Sequence, residues 1–298
     1  MHSRITYPML LLALSASSAA TTSAGVPAPV KHPPRSDTVQ VSTGVRLHYV
    51  EQGDPSGETI ILLHGYSDSW FSFSQALPLM SQRYHIYALD LRGQGSSDTP
   101  AGGYGMVDQA ADVIAFMDAR SIRRATVVGH STGSFVARQV AHLAPDRIVR
   151  LVLVASSTTI FPHLVELRKA VMALTDPVSP QFVEEFQRST VHHPVSEEFM
   201  RQAIAESMRL PVHVWHGIME GMATMPAGKA LGVTTAPTLI MAGARDVVFP
   251  GEVEPLRAQF PHASVIVYED TGHAVHWERP EWFVRDLEAF LTRPAGSK

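Results

Sequence analysis

Residues 125–128, Ala-Thr-Val-Val, form a compact apolar run. It ends in Gly129-His130-Ser131-Thr132-Gly133 and continues into Ser134-Phe135-Val136-Ala137-Arg138. No other stretch restricts the fold of this chain as strongly. A short β-branched run of this kind suits a central strand covered on both faces. The residues beyond it carry helical spacing, so a strand must pass into a helix within a few residues. A turn that sharp strains the backbone of its central residue, and bulky neighbours would clash there. Gly129 and Gly133 leave that space. A helix predicted over 131–143 then aims its first amides, and the positive end of its dipole, at the turn. A serine at that point faces donors suited to developing negative charge.

The same rhythm runs through most of the chain. Residues 45–50 alternate apolar and polar, as a half-buried edge strand would. Apolar runs recur at 59–63, 86–89, 148–154 and 238–241, and a last strand is expected at 264–268. Helical spacing occupies 70–82, 107–120, 251–259 and 280–292. This alternation predicts an α/β fold: a doubly wound, mostly parallel sheet with helices on both faces. From about 157 to 236 the strands stop. Only helix-like segments remain, broken at Pro177, Pro180, Pro194, Pro211 and Pro226. That stretch is too long for a loop in a compact domain, so it is expected to be a helical cap inserted after the sixth strand. It holds six of the twelve methionines, together with Phe161, Phe182, Phe186, Phe199 and Trp215. Most of these are expected to pack the cap onto the body and a minority to line a pocket.

The N-terminus reads differently. Arg4 is the sole Asp, Glu, Lys or Arg in residues 1–24, an apolar run follows at 8–14, and small residues continue to Ala24. That pattern reads as a signal peptide, so a secreted or periplasmic protein is expected. The apolar run is shorter than the roughly 20 residues a bilayer span needs, so no stable membrane insertion is expected. Residues 25–36, with Pro27, Pro29, Pro33 and Pro34, predict an extended linker. The folded domain is expected over 37–293, with a frayed tail at 294–298. The absence of cysteine excludes disulfides, a thiolate nucleophile and Cys-ligated metal. A formal charge of −4 argues against a nucleic-acid partner. There is no G-x-G-x-x-G opening and no Walker lysine, so no cofactor is expected. His192-His193 and His213-x-x-His216 lack a companion carboxylate at telling spacing, so no metal is expected.

Five motifs, in order, carry a family resemblance. They are Leu62-Leu63-His64-Gly65-Tyr66, the run Asp90-Leu91-Arg92-Gly93-Gln94-Gly95-Ser96-Ser97-Asp98, the serine turn, Gly243-Ala244-Arg245-Asp246, and Gly272-His273. From about residue 39 to 291 the chain resembles the α/β-hydrolase superfamily. It is similar to capped serine hydrolases of esterase type, with a His-Gly oxyanion loop and a G-H-S-T-G nucleophile elbow. The resemblance implies Ser131 as nucleophile, Asp246 as acid and His273 as base, in the family's chain order. Asp270 and Glu269 are rivals for the acid, and His276 for the base. It also implies an oxyanion hole made by the backbone N–H groups of Tyr66 and Thr132. The His64 ring is expected to hold its loop. Arg92, Gly93, Gly95 and Asp98 are expected to shape a turn. Trp70, His130 and Trp215 are expected to wall the substrate pocket.

The nucleophile type narrows the chemistry. Relatives that open epoxides or remove halides carry Asp where this chain has Ser131. Proline-releasing peptidases of the family show G-x-S-W-G-S, and Thr132 departs from that. The expectation is a serine hydrolase that cleaves carboxylic esters or lactones of small to medium apolar substrates through an acyl-enzyme. Its partner would be a small-molecule ester. Cofactor-free perhydrolases, C–C bond hydrolases and hydrolase-fold binding proteins or receptors are the alternatives. The sequence carries no signal for an oligomeric state.

Overall fold

The computed structural model describes residues 32–159, 164–225 and 234–293. The expected signal peptide, linker residues 25–31, Phe161, Pro226 and the tail at 294–298 lie outside them. The described strands form one sheet: β1 (Arg35–Gln40), β2 (Arg46–Gly53), β3 (Thr59–Leu63), β4 (His85–Leu89), β5 (Ala125–His130), β6 (Ile148–Val154), β7 (Thr238–Gly243) and β8 (Ser264–Tyr268). Their order across the sheet is β1-β2-β4-β3-β5-β6-β7-β8. β2 pairs antiparallel with both β1 and β4, and every other pair is parallel. The strand expected as the edge therefore lies second, covered by β1 from Arg35↔Glu51 to Gln40↔Arg46. β1 begins two residues inside the stretch read as linker. It is exposed along nearly its whole length, so it shows no buried alternation in the sequence.

Both faces of the central strands are buried, and their residues sort by parity. Ile61, Leu63, Val127, Leu151, Leu153 and Ile240 join one apolar cluster with Phe116 and Phe135. Ile60, Leu62, Val128, Val152, Val154, Leu239 and Met241 join another with Phe73, Phe283 and Phe290. Helices α1 (Met106–Ala119) and α2 (Thr132–Leu143) supply the first cluster. The C-terminal helix Pro280–Leu291 supplies the second. The sheet is thus doubly wound, as expected.

The helix expected over 70–82 is replaced by two 3₁₀ turns, Trp70–Phe73 and Leu77–Leu79. Ser69 Oγ accepts from Phe71 N at 3.2 Å and starts the first turn. Pro78 stands at the start of the second and offers no amide to a continuing helix. The cap is helical: α3 (Val165–Met172), α4 (Pro180–Ser189), α5 (Glu197–Met208) and α6 (Val212–Ala223) lie between β6 and β7. Ser179 and Ser196 cap α4 and α5 by accepting from Phe182 N and Phe199 N. Beyond the cap come α7 (Val253–Gln259), α8 (Val275–Glu278) and α9 (Pro280–Leu291).

The run from Asp90 to Asp98 shapes a turn, as expected. Asp90 accepts from the amides of Trp70 (2.6 Å) and Ser96 (2.8 Å), and Asp98 accepts from Arg46 N (2.9 Å). Arg92 leaves the turn to form a two-pronged ion pair with Asp112 on α1, and both side chains are buried. A buried charge left alone is costly. Asp112→Ala should therefore destabilise the protein by about 3–5 kcal/mol in urea denaturation, while the double change Arg92→Met with Asp112→Leu should recover most of that loss.

Candidate active site

The loops after β3, β5, β7 and β8 emerge at the carboxyl edge of the sheet, where open α/β sheets place ligands. Each carries one element of the motif set. Ser131 sits between β5 and α2, at φ 50° and ψ −118°. The helix begins at Thr132, one residue later than the sequence pattern suggests, because Ser131 is held outside helical geometry. Its amide donates to Val154 O on β6 at 2.9 Å, and its carbonyl accepts from Ser134 N at 2.9 Å. Such a backbone costs on the order of 1–3 kcal/mol and persists only where its surroundings fix it. Here the two glycines allow that fixing. A Cβ on Gly129 would lie 2.2 Å from Gly133 O, and one on Gly133 would lie 2.3 Å from Leu63 O.

His273 follows β8, and its Nδ1 lies 2.8 Å from Asp246 Oδ2 after β7. Asp246 Oδ1 accepts from Val248 N (2.8 Å) and Phe249 N (3.0 Å). Burial alone would raise the Asp246 carboxyl. The His273 imidazole and the two amides outweigh it and hold the group below the usual carboxylate range. The rival acids do not reach this ring. Asp270 instead bonds His193 Nε2 (2.5 Å) and His192 Nε2 (3.2 Å) in the segment after α4. These three side chains are close enough to share a cation. They include the carboxylate companion that sequence spacing did not reveal. The Arg279 guanidinium approaches the same carboxylate at 3.7 Å, so the cluster is a charge-paired clasp between the cap and the loop of His273.

His276 is buried beside Ser72, with Nε2 2.9 Å from Ser72 Oγ. Among the described residues no carboxylate hydrogen-bonds its ring, which separates it from His273. Burial, with the nearby His273, pushes its imidazole down to about 3. His130 is pushed well below its usual value in the same way, by burial first and then by the His276 and His273 rings. Its Nε2 donates to the His273 carbonyl at 3.2 Å. The His64 ring holds its loop, accepting from Leu91 N at 3.1 Å and bonding Gly65 O at 2.9 Å.

Ser131, His273, Tyr66 and Thr132 line one cavity. No hydrogen bond closes between Ser131 Oγ and His273 in this structure, and contacts of this kind are often loose before substrate binds. Thr132 is the first residue of α2, so its amide has no acceptor within the helix. The walls are mostly apolar: Leu164, Leu167, Phe186, Met222, Val248 and Trp277 contribute. Of the three expected pocket residues, His130 lines the cavity. Trp70 and Trp215 do not. Trp70 sits half-buried over the Asp90 turn, its amide bonded to Asp90 Oδ1. Trp215 is wholly buried behind the wall, edge-on to Tyr66 at 5.2 Å and to Phe186 at 5.9 Å. Asp68 and Gln187 are cavity residues that sequence reading missed.

The buried imidazoles give a pH signature. Their folded values lie below the unfolded value of 6.5, so the unfolded chain binds protons that the folded chain refuses. Stability should fall as pH drops from about 6.5 towards about 3. Melting curves between pH 7 and pH 4 should show this fall, and His276→Gln should make it shallower. An unchanged slope in the variant would contradict the assignment.

Comparison with known proteins adds a family context. The family described as alpha/beta hydrolase fold matches residues 58–280. A non-heme chloroperoxidase from Streptomyces lividans is 30% identical over 277 residues, covering 85% of this chain and 99% of that protein. A proposed aryl esterase from Burkholderia cenocepacia is 26% identical and superposes with a TM-score of 0.78 over 87% of this chain and 100% of its own. An esterase from Exiguobacterium antarcticum shares the fold at TM-score 0.78 and 20% identity, over 87% of this chain and all of that one.

Proposed function

The chain belongs to the alpha/beta hydrolase family, and from that premise we propose that it is a serine hydrolase acting on carboxylic esters or lactones of small to medium apolar acids. The observation that carries this reading is the His273–Asp246 hydrogen bond, with His273 lining a cavity that also holds a serine on a strained strand-to-helix turn. A serine hydroxyl is a weak nucleophile until a base takes its proton. In this reading Ser131 Oγ attacks the ester carbonyl carbon and His273 Nε2 accepts the hydroxyl proton. Asp246 fixes the tautomer that leaves Nε2 free and stabilises the imidazolium. The Thr132 and Tyr66 amides receive the oxyanion.

The tetrahedral intermediate then collapses. The carbon–alkoxide bond breaks, His273 gives its proton to the leaving alcohol, and the acyl group stays on Ser131. Water attacks the acyl-enzyme with His273 again as base. This releases the acid and restores the serine. The apolar walls suit an uncharged acyl chain and exclude bulk water from the charged intermediate. With the N-terminal leader expected from the sequence, the substrate would be an ester met outside the cytoplasm.

The chloroperoxidase relative favours a second reading at the same serine. There hydrogen peroxide takes the place of water at the acyl-enzyme and releases a peracid. Peroxide- and carboxylate-dependent bromination of a phenol dye, lost in Ser131→Ala, would support it.

Ser131→Ala should lower kcat on p-nitrophenyl acetate or butyrate by on the order of 10⁴ or more, with the fold retained by circular dichroism. Turnover that survives the substitution would exclude Ser131 as the nucleophile.

A further inference from the structure

Three consecutive residues of the loop after β3 are each tied to a different helix of the cap. The Tyr66 hydroxyl donates to the Trp215 carbonyl on α6 at 2.7 Å. Ser207 on α5 donates its hydroxyl to the Ser67 carbonyl at 2.8 Å. Gln187 on α4 donates its side-chain amide to Asp68 Oδ1 at 3.1 Å. The same amide donates to Ser207 Oγ at 2.7 Å. A glutamine NH₂ has two hydrogens, and both are used here. One branch holds Asp68 directly. The other occupies the Ser207 oxygen, whose single hydrogen is shared between the Ser67 carbonyl at 2.8 Å and, more weakly, the Ala203 carbonyl one turn back at 3.1 Å. All six residues are buried.

The loop needs this restraint. Ser67 has φ 60°, a conformation disfavoured for any residue with a Cβ and kept only where the surroundings enforce it. The Gly65–Tyr66 peptide, which carries the Tyr66 amide, lies one residue before it, and the carbonyl of that peptide accepts from Asp68 N at 3.4 Å. A small rotation at Ser67 or Asp68 would therefore redirect the amide, and oxyanion stabilisation is sensitive to donor aim. Asp68 adds a second requirement. Burial raises its carboxyl above the usual range, so the donated hydrogen bonds keep it seated.

We propose that Gln187 is a positioning residue: from the cap, it sets the Tyr66 amide of the oxyanion hole, through Ser207 and Ser67 on one branch and through Asp68 on the other. This rests on the serine-hydrolase reading above. It makes the oxyanion hole complete only while α4 and α5 are seated on the body. Substrate contacts that hold the cap down then act on turnover as well as on binding.

The test uses Gln187→Met, which keeps length and loses both donors, and Gln187→Glu, which keeps shape and turns a donor towards Asp68 into an acceptor. Active sites are counted by fluorophosphonate titration, so misfolded protein does not enter kcat. On p-nitrophenyl acetate both variants should lose about 10- to 100-fold in kcat while KM moves less than about threefold, as expected for a contact that matters mainly in the transition state. Affinity for a trifluoromethyl ketone, which forms the tetrahedral adduct, should fall by a similar factor. Amide hydrogen exchange over residues 64–70 should quicken in both. Ser207→Ala, cutting one branch, should give an intermediate loss. A merely structural role would lower the melting temperature and leave kcat per titrated site unchanged, which overturns the proposal. Unchanged exchange at residues 66–68 overturns it as well. If the wild-type protein turns over no ester, the hydrolase reading fails, and the exchange measurement alone decides whether Gln187 holds the loop.

Discussion

The site depends on one close approach of backbone to backbone. The start of α2 packs against the end of β3 so tightly that a Cβ on Gly133 would sit 2.3 Å from Leu63 O and 2.5 Å from His64 O. That contact fixes the spacing between two chain segments, one ending in Thr132 and the other leading to Tyr66. The two amides assigned to the oxyanion hole belong to those segments. The strained φ of Ser131 follows from the same geometry, since the chain must leave β5, turn and enter a helix within van der Waals contact of β3. A side chain at either glycine would open the turn, and nucleophile and oxyanion donors would separate together.

Around this fixed point the electrostatics are arranged by burial. His273 is hydrogen-bonded to a carboxylate held below its usual range, while its neighbours His130 and His276 are kept neutral. Three imidazoles in contact would repel if all were charged. In the proposed mechanism the proton from Ser131 goes to the one ring of the three that is hydrogen-bonded to a carboxylate, Asp246. The apolar cavity walls sharpen this, because charge interactions are stronger where water is excluded.

Much of this was legible in the sequence. The strand–turn–helix passage at Ser131 could be read because glycine spacing and apolar periodicity agree there. The resemblance to the α/β-hydrolases, with their chain order serine, aspartate, histidine, then implied Asp246 and His273, which the structure joins at 2.8 Å. The cap was visible as a gap in the strand rhythm. Other features were hidden for physical reasons. β1 is exposed nearly throughout, so it leaves no pattern of buried positions. The 3₁₀ turns after Ser69 mimic helical spacing over a stretch that Pro78 interrupts. Trp70 and Trp215 were natural choices for pocket walls because of their size, yet size alone does not say which face of a wall a ring occupies. Gln187, Asp68 and the His192–His193–Asp270 clasp bring together residues 77 to 119 positions apart, and no local periodicity encodes such contacts.

The central claim is that Ser131 takes the acyl group, and the most direct measurement is the mass of the covalent adduct. Brief reaction of the protein with a fluorophosphonate, followed by intact-mass and peptide mapping, should show one added group on the peptide bearing Ser131. The labelling should be slowed by His273→Ala and absent in Ser131→Ala. An adduct on another residue, or equal labelling of Ser131→Ala, would contradict the account.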